Sequence, residues 1–348
     1  MAYRIKNIIS SKPGLAKVTN PELHYKVFTF LKHEDFCEPE IWIPLLDPES
    51  PSNRRSSYLG KFNLDGDLID KILISDNSEF SAFLDMDINK TQGFVITDKE
   101  KQSAAGTVFL TVGDEIGYPY GYNELLNNVV EFDYKPTPEF WILGFDMFDK
   151  YLYAVEENFG DVRTGPINVY DFNFQLIEEG FPFPRENIPE NYTPVNIKVI
   201  HELVHVVFRN IDNKLKGGIV NVYNLDGTFV KTLINDTELL NPWAIVKTPS
   251  KFGEFSCSYL IGSDTIVSEG EIIRGDGTIS AYDKRGKFLG KLKDKKGNII
   301  VINNLKTLKF YEDKLYYASG NIAAREVDEI QTSIFGYIEP YKKRCNKH

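Results

Sequence analysis

Cysteine is scarce in this sequence. Its 348 residues include Cys37, Cys257 and Cys345, scattered and with no CxxC pair. That spacing excludes a disulfide framework and a cysteine-built zinc site. Positive charge is also in deficit: 40 Lys and Arg stand against 50 Asp and Glu, a formal net charge of −10. Neutralising phosphates needs a basic surface, so no nucleic-acid partner is expected. The basic end YKKRCNKH, residues 341–348, reads as a solvated tail. No apolar run reaches the roughly 18 residues of a membrane span. The first residues, MAYRIKNIISSKPG, lack the apolar centre of a signal peptide. No membrane insertion is expected, and the expected setting is intracellular or inside a virus particle. GxSxG, Walker and Rossmann glycine patterns are absent.

What is present is apolar and aromatic: 42% hydrophobic and 13% aromatic residues, enough for a sizeable core. Heavy use of Asn, Lys, Ile, Tyr and Phe suggests an AT-rich coding sequence, as in some bacteria, protists and large DNA viruses. Helical periodicity is rare. Short alternating apolar stretches separated by Gly, Asn, Asp and Pro dominate, which is the pattern of strands and turns.

One phrase recurs: YLGKFNLDGDLIDKILI from Tyr58, PINVYDFNFQLI from Pro166, GGIVNVYNLDGTFVKTLI from Gly217 and GDGTISAYDKRGKFLGKL from Gly275. Each is an apolar strand ending in an aromatic, a polar turn, and a second apolar strand. Asp65-Gly66, Asp226-Gly227 and Arg285-Gly286 supply the positive-φ residue of the turn, and Asn173 takes that role in the second phrase. Tyr170, Tyr223 and Tyr282 recur at the interval of one long four-stranded propeller blade. A second phrase fills the gaps: FWILGFDMFDKYLYAVEEN from Phe140, NIKVIHELVHVVFRN from Asn196 and LKTLKFYEDKLYYASG from Leu305.

Inner strands fall near Tyr25–Phe30, Phe80–Asp85, Phe140–Phe145, Val195–Ile200, Trp243–Lys247 and Leu305–Phe310. The expected fold is therefore all-β, a single six-bladed propeller over residues 1–340. An open ring leaves an unpaired edge. The spare strand Tyr3–Ile9 is expected to pair with Ser333–Ile338 and complete blade six. Two stacked β-sandwich domains are the alternative.

HELVH, residues 201–205, matches the zinc-peptidase signature, which needs a helix to bring two imidazoles to one ion. Its flanks are rich in β-branched residues: Ile197, Val199, Ile200, Val204, Val206, Val207 and Ile211. On a strand, residues four apart lie about 13 Å from each other. The sister phrases place Phe148-Asp149-Lys150 and Tyr311-Glu312-Asp313-Lys314 where His201-Glu202 falls. A hairpin turn is expected there, with His205 in the returning strand and no zinc site.

On the phrases NIISSKPGLAKVTNPEL, YTPVNIK, GGIVNVYNLDGTFVKTLI, LNPWAIV, GDGTISAYDKRGKFLGKLKDKKGNIIVI and IFGYIEP, the chain resembles a family of six-bladed propellers. That family is related to NHL-repeat propellers and is seen in secreted bacterial proteins of the PEP-CTERM group. The resemblance implies the fold and no activity. This chain departs from it at LHYKVFTF, which lacks Pro-Trp-Gly, and at Ala244, which follows Asn241-Pro242-Trp243.

Six-bladed propellers include calcium-dependent lactonases and arylesterases, whose strand-start oxygens hold a hard cation in the channel. The corresponding oxygens here are Glu79, Glu139, Asn241 and Asn304, a candidate calcium site. His24 and Trp243 are candidate binding residues at the channel mouth. Asp85/Asp87, Glu156/Glu157 and Glu178/Glu179 are paired acids, and Asp85 and Asp87 would share a strand face. Arg274-Gly275-Asp276 spells an integrin-binding tripeptide inside a turn phrase. The leading expectation is a non-enzymatic scaffold that binds a protein or glycan partner or assembles into a larger particle. The alternative is a calcium-dependent lactonase or esterase.

Overall fold

The computed structural model describes residues 2–21, 23, 28–31, 38–46, 55–78, 82–88, 94–96, 101–103, 108–113, 119–123, 128–131, 140–158, 165–171, 175–211, 216–268, 271–303, 305–319 and 333–341. Their regular structure is almost entirely strand, and among the described residues the one helix is the 3-10 turn Gly253–Phe255. β-branched and aromatic residues alternate with polar ones along these segments, which suits a pleated surface buried on its blade faces.

Five sheets form blades of a propeller, their strands laid side by side in chain order. Blade one is Thr29–Leu31, Glu40–Leu46, Arg55–Phe62 and Leu68–Ser78. Blade two is Phe140–Phe148, Tyr151–Asn158 and Ile167–Tyr170. Blade three is Tyr192–Ile200, Leu203–Asn210, Lys216–Tyr223 and Phe229–Leu240. Blade four is Pro242–Lys247, Tyr259–Ser268, Glu271–Tyr282 and Phe288–Lys291. Blade five is Leu305–Tyr311, Lys314–Ser319 and Ile334–Pro340, completed by Tyr3–Ser10 and the short parallel strand Val18–Thr19.

The expectation of six blades is corrected to five. Where a blade was expected after blade one, the strand Ala82–Ile88 joins Val108–Gly113, Pro119–Asn123 and Asn128–Glu131. Between its first two strands the chain departs to make a separate two-stranded ribbon, Phe94–Ile96 with Lys101–Ser103. Ala82–Ile88 runs beside Thr29–Leu31 and Phe140–Phe148. Its sheet thus fills the arc between blades one and two, but its side chains lie outside the described residues and no blade core is described for it.

The outer turns share one hydrogen-bond pattern. Asn63 Oδ1 accepts from the Asp65 and Asp67 amides, and Asp283 Oδ1 from the Arg285 and Lys287 amides. The glycine amide closes each turn on the first residue's carbonyl, Gly66 to Asn63, Gly227 to Asn224 and Gly286 to Asp283. This is the side-chain mimicry of a turn that Asn and Asp provide. Gly286 has φ +81°, and a Cβ there would fall 1.5 Å from the Leu233 carbonyl oxygen of blade three. Glycine at this turn therefore also lets neighbouring blades approach. Asn173, expected in the equivalent role, lies outside the described residues.

The chain ends latch together. Tyr3–Ser10 runs antiparallel to Ile334–Pro340, with Tyr3 opposite Pro340 and Ser10 opposite Ile334. A bulge between Asn7 and Ile9 turns both Ile8 and Ile9 inward. They join Trp42, Ile41 and Phe28 in the core shared with blade one. At the strand's other end Tyr3 packs with Phe252 and Phe255 in the core of blade four, and its hydroxyl donates to the Phe252 carbonyl at 3.1 Å. One strand thus touches the cores on both sides of the closing blade. Tyr3→Ala is expected to cost about 3–5 kcal/mol. Arg4→Ala, which removes an exposed ion pair with Glu339, should cost less than about 1 kcal/mol. Urea unfolding midpoints give the comparison, and equal costs would contradict the latch.

HELVH is a hairpin. Ile200 pairs with Leu203, so His201 and Glu202 are the two loop residues. Their φ values are +51° and +60°, the positive pair of a type I′ turn. The sister hairpins also have positive φ at their first loop residue, Asp149 at +54° and Glu312 at +50°. His201 is exposed at the tip, and His205 is buried in the returning strand. Two such residues do not share a metal ion. Asn-Gly is the preferred pair for this turn, so the double variant His201→Asn, Glu202→Gly is expected to raise the melting temperature, by up to about 1 kcal/mol in stability. A loss of fold would contradict the turn geometry.

Burial pushes the His205 imidazole down to about 4, against a partly opposing hydrogen bond to the Leu203 carbonyl. The nearby Lys247 ammonium lowers it further. Folding therefore favours the neutral ring. The stability this gives is complete above the unfolded value of 6.5 and is lost as pH falls through about 4. The loss is on the order of 3 kcal/mol. His205→Phe is expected to flatten the stability–pH curve across that window in urea titrations. An unchanged curve would remove His205 from the acid response.

Candidate functional site

The inner strands of blades two to five share a device. Each carries a bulge near its start, between Ile142 and Gly144, Pro194 and Asn196, Pro242 and Ala244, and Leu305 and Thr307. The extra residue shifts the alternation by one. Three positions beyond the extra residue, the four strands then place Asp146, Lys198, Val246 and Lys309 in the same register.

These four residues line one cavity of about 320 Å³. Thr29, Phe30, Val199, Ile200, Ile245, Lys247, Leu308, Phe310 and Tyr311 complete its described lining. Those of blades two to five lie toward the trailing ends of inner strands, so the cavity opens where these strands finish, at the end of the channel opposite their starts. Strand, bulge and register thus bring residues distant in sequence to one concave surface, as ligand pockets require.

The polar groups in the cavity hold the blades together. The Val199 amide donates to Asp146 Oδ2 at 2.7 Å, and the Met147 amide to Asp146 Oδ1 at 3.0 Å. In return Lys198 Nζ donates to the Phe145 carbonyl at 2.7 Å. Blades two and three are therefore pinned reciprocally. Lys309 Nζ donates to Thr29 Oγ1 at 3.4 Å, joining blade five to blade one. The Lys247 ammonium stands 4.9 Å from the centre of the Tyr259 ring, within cation–π range.

The strand starts are arranged differently. Asn241 is buried at φ +36° just before Pro242. Trp243 is the bulge residue of blade four. The Lys306 ammonium lies 3.3 Å from the centre of its ring and the Arg209 guanidinium 5.2 Å. The Trp243 ring is thereby engaged with blades three and five, a packing role. Thr193 Oγ1 and Asn196 Oδ1 are buried in blade three without a hydrogen-bond partner among the described residues.

Few of the residues nominated from sequence are among the described ones. Glu79, Glu139, Asn304 and His24 lie outside the described residues, which leaves Asn241 alone of the calcium set. Among the described residues no group of three or more His, Cys, Asp or Glu could hold a metal ion. Asp85 and Asp87 alternate on Ala82–Ile88, but their side chains are outside the described residues. Glu156 is buried and accepts a hydrogen bond from the Tyr170 hydroxyl, while Glu178 and Glu179 are exposed. Arg274 and Asp276 belong to a paired strand, opposite Thr265 and Asn303, and not to a turn. The cavity residues Asp146, Lys198, Lys247 and Lys309 were missed. Aligning FWILGFDMF, NIKVI and LKTLKFY puts Asp146, Lys198 and Lys309 in one column, which was the available signal.

No known family model matches the chain, and nothing in the comparisons supports membership of an NHL-related or PEP-CTERM-group family. Similar proteins come from Acanthamoeba polyphaga mimivirus. "Uncharacterized protein R648" is 25% identical over 359 residues, covering 97% of this chain and 80% of that one. "Uncharacterized protein L690" is 29% identical over 154 residues, covering 41% of this chain and 38% of its own length. Among solved structures, the calcium structure of a Trichoderma reesei carbohydrate-active enzyme of family AA12 shares 9% identity with a TM-score of 0.49, covering 97% of this chain and 95% of that one. Kuenenia stuttgartiensis hydrazine synthase shares 12% identity with a TM-score of 0.49, covering 88% and 76%. Likenesses at that level carry no weight for activity. Among the described residues no helix is long and apolar enough to cross a membrane. The chain is an all-β propeller with relatives in a giant virus.

Proposed function

We propose that this protein is a non-enzymatic binding scaffold. The propeller presents the trailing end of its channel, with the hairpin turns around it, to a protein or glycan partner. The observation that carries this reading is the cavity lining. Its described residues are mostly apolar, its lysines come from three blades, and both oxygens of its carboxylate accept from backbone amides. A lining of that kind supports holding a ligand better than activating a nucleophile, because a general base needs a lone pair aimed at a substrate proton. Relatives in a giant virus support a place in a larger viral assembly.

The test uses the full-length protein and the variant Val246→Trp, which fills the cavity. Melting curves are recorded against panels of glycans and peptides, and turnover is assayed on lactones and aryl esters, each with calcium and with chelator. A glycan or peptide that raises the melting temperature of the parent and not of Val246→Trp supports the scaffold. Calcium-dependent ester or lactone turnover would overturn it in favour of a hydrolase.

A further inference from the structure

The outermost strand of blade four, Phe288–Lys291, stands between two turns. Asp283–Lys287 leads into it, and Asp294–Asn298 follows it. Residues 283–298, DKRGKFLGKLKDKKGN, hold seven Lys or Arg against two Asp and so carry +5, while the remainder of this −10 chain carries −15. Both acids are engaged by their own turns. Asp283 Oδ1 accepts from the Arg285 and Lys287 amides, and Asp294 Oδ1 from the Lys296 and Asn298 amides. Lys284, Arg285, Lys287, Lys293, Lys295 and Lys296 are exposed, and none forms an ion pair among the described residues. Large apolar side chains lie among them. Phe288, Leu289, Ile299 and Val301 are 45–47% exposed. A Cβ at Gly297 would meet nothing within 4 Å, so the tip of the second turn stands clear.

The same strand-and-turn phrase is not basic in the other blades. In blade one, Asn63–Leu73 holds Asp65, Asp67 and Asp70 against Lys71. In blade three, Asn224–Leu233 holds Asp226 against Lys231. The turn geometry therefore does not demand the cations. Lysines on an edge strand discourage pairing with other chains. That role does not account for Lys284, Arg285, Lys295 and Lys296, which occupy turns where no ladder needs guarding.

Cations and large apolar side chains on one surface match the boundary of an anionic bilayer. Each Lys or Arg near such a surface is drawn to its phosphate and carboxylate groups, and exposed apolar side chains lose contact with water among the headgroups. Nucleic acids and acidic glycans would use the cations but gain little from Leu289, Ile299 and Val301. The acidic remainder of the chain is repelled by the same surface, which turns blade four toward it.

We propose that the rim of blade four docks peripherally on a membrane surface rich in anionic lipid. Lys284, Arg285, Lys287, Lys293, Lys295 and Lys296 meet the headgroups, and Phe288, Leu289, Ile299 and Val301 enter the headgroup boundary. This surface is carried by the outer strand, on the opposite side of the blade from the channel, and it does not depend on what the cavity binds.

The test is flotation of the full-length protein with vesicles of phosphatidylcholine alone, or of phosphatidylcholine with about one-third phosphatidylserine. Binding is expected only with phosphatidylserine, and added salt should weaken it. The double variants Lys284→Glu, Arg285→Glu and Lys295→Glu, Lys296→Glu should each weaken it at least roughly tenfold. Lys150→Glu with Lys231→Glu makes the same change in net charge elsewhere and should weaken it less than about threefold. Phe288→Ser with Ile299→Ser should weaken it roughly three- to tenfold without changing the salt dependence. Near-ultraviolet circular dichroism confirms that each variant keeps the native packing. No binding of the native protein to phosphatidylserine vesicles would overturn the proposal. Equal losses in the rim and control variants would reduce it to an effect of net charge and overturn the site. Unchanged binding in Phe288→Ser, Ile299→Ser would overturn apolar entry. Binding to duplex DNA or heparin that the rim variants abolish, with none to vesicles, would overturn the membrane in favour of a soluble polyanion.

Discussion

The architecture depends on a single backbone ladder, the pairing of Tyr3–Ser10 with Ile334–Pro340. A chain of sheets set around an axis needs its last sheet joined to its first, or an edge remains open to solvent and to other chains. Here the join is non-covalent. Its strength comes from apolar anchors at both ends of one strand, Tyr3 in the core of blade four and Ile8 and Ile9 in the core next to blade one. Burial of each such side chain is worth about 1.5–3 kcal/mol, more than the exposed Arg4–Glu339 pair can add. The latch is a packing device with a hydrogen-bonded spine.

The repeated bulge has a consequence for the channel. An unbroken inner strand would keep one alternation from start to finish. The extra residue at Leu143, Val195, Trp243 and Lys306 resets it, so that a different set of side chains lines the trailing half. Leu143 and Val195 are themselves buried in the core shared by blades two to four. The same irregularity therefore serves packing at one end and places charged groups at the other. Asp146, Lys198 and Lys309 then cross-link neighbouring blades, and the cavity they line is held open by the contacts that stabilise it.

Much of the fold was legible because it is local. Turn chemistry at Asp65-Gly66, Asp226-Gly227 and Arg285-Gly286, alternation in the flanking strands, and the β-branched flanks of HELVH each act within a few residues. The candidate site was less legible. Oxygen-bearing residues stand out at strand starts, whereas the described cavity lies at the other end, with three lysines in a mostly apolar lining. Lysine in a strand reads as a solvated residue when taken alone. Only its position three residues beyond the extra residue of a bulge, shared by Lys198 and Lys309, marks it as facing the channel. The blade count failed for a related reason: the segment after Ser78 keeps strand-like alternation, but a ribbon leaves its sheet between Ile88 and Val108.

By itself the sequence determined that this chain is all-β, built from repeated hairpins, with His201-Glu202 at a turn and a spare strand at its start. These follow from backbone preferences and side-chain period, which neighbours along the chain already express. The tertiary structure decided the number of blades with described cores, the burial of His205, the engagement of Trp243 by Lys306 and Arg209, and the placing of Lys198, Lys247 and Lys309 along the lining of one cavity. Each of those depends on which strands lie side by side around the axis. That is settled by contacts between residues far apart in the chain, through packing that no short stretch encodes.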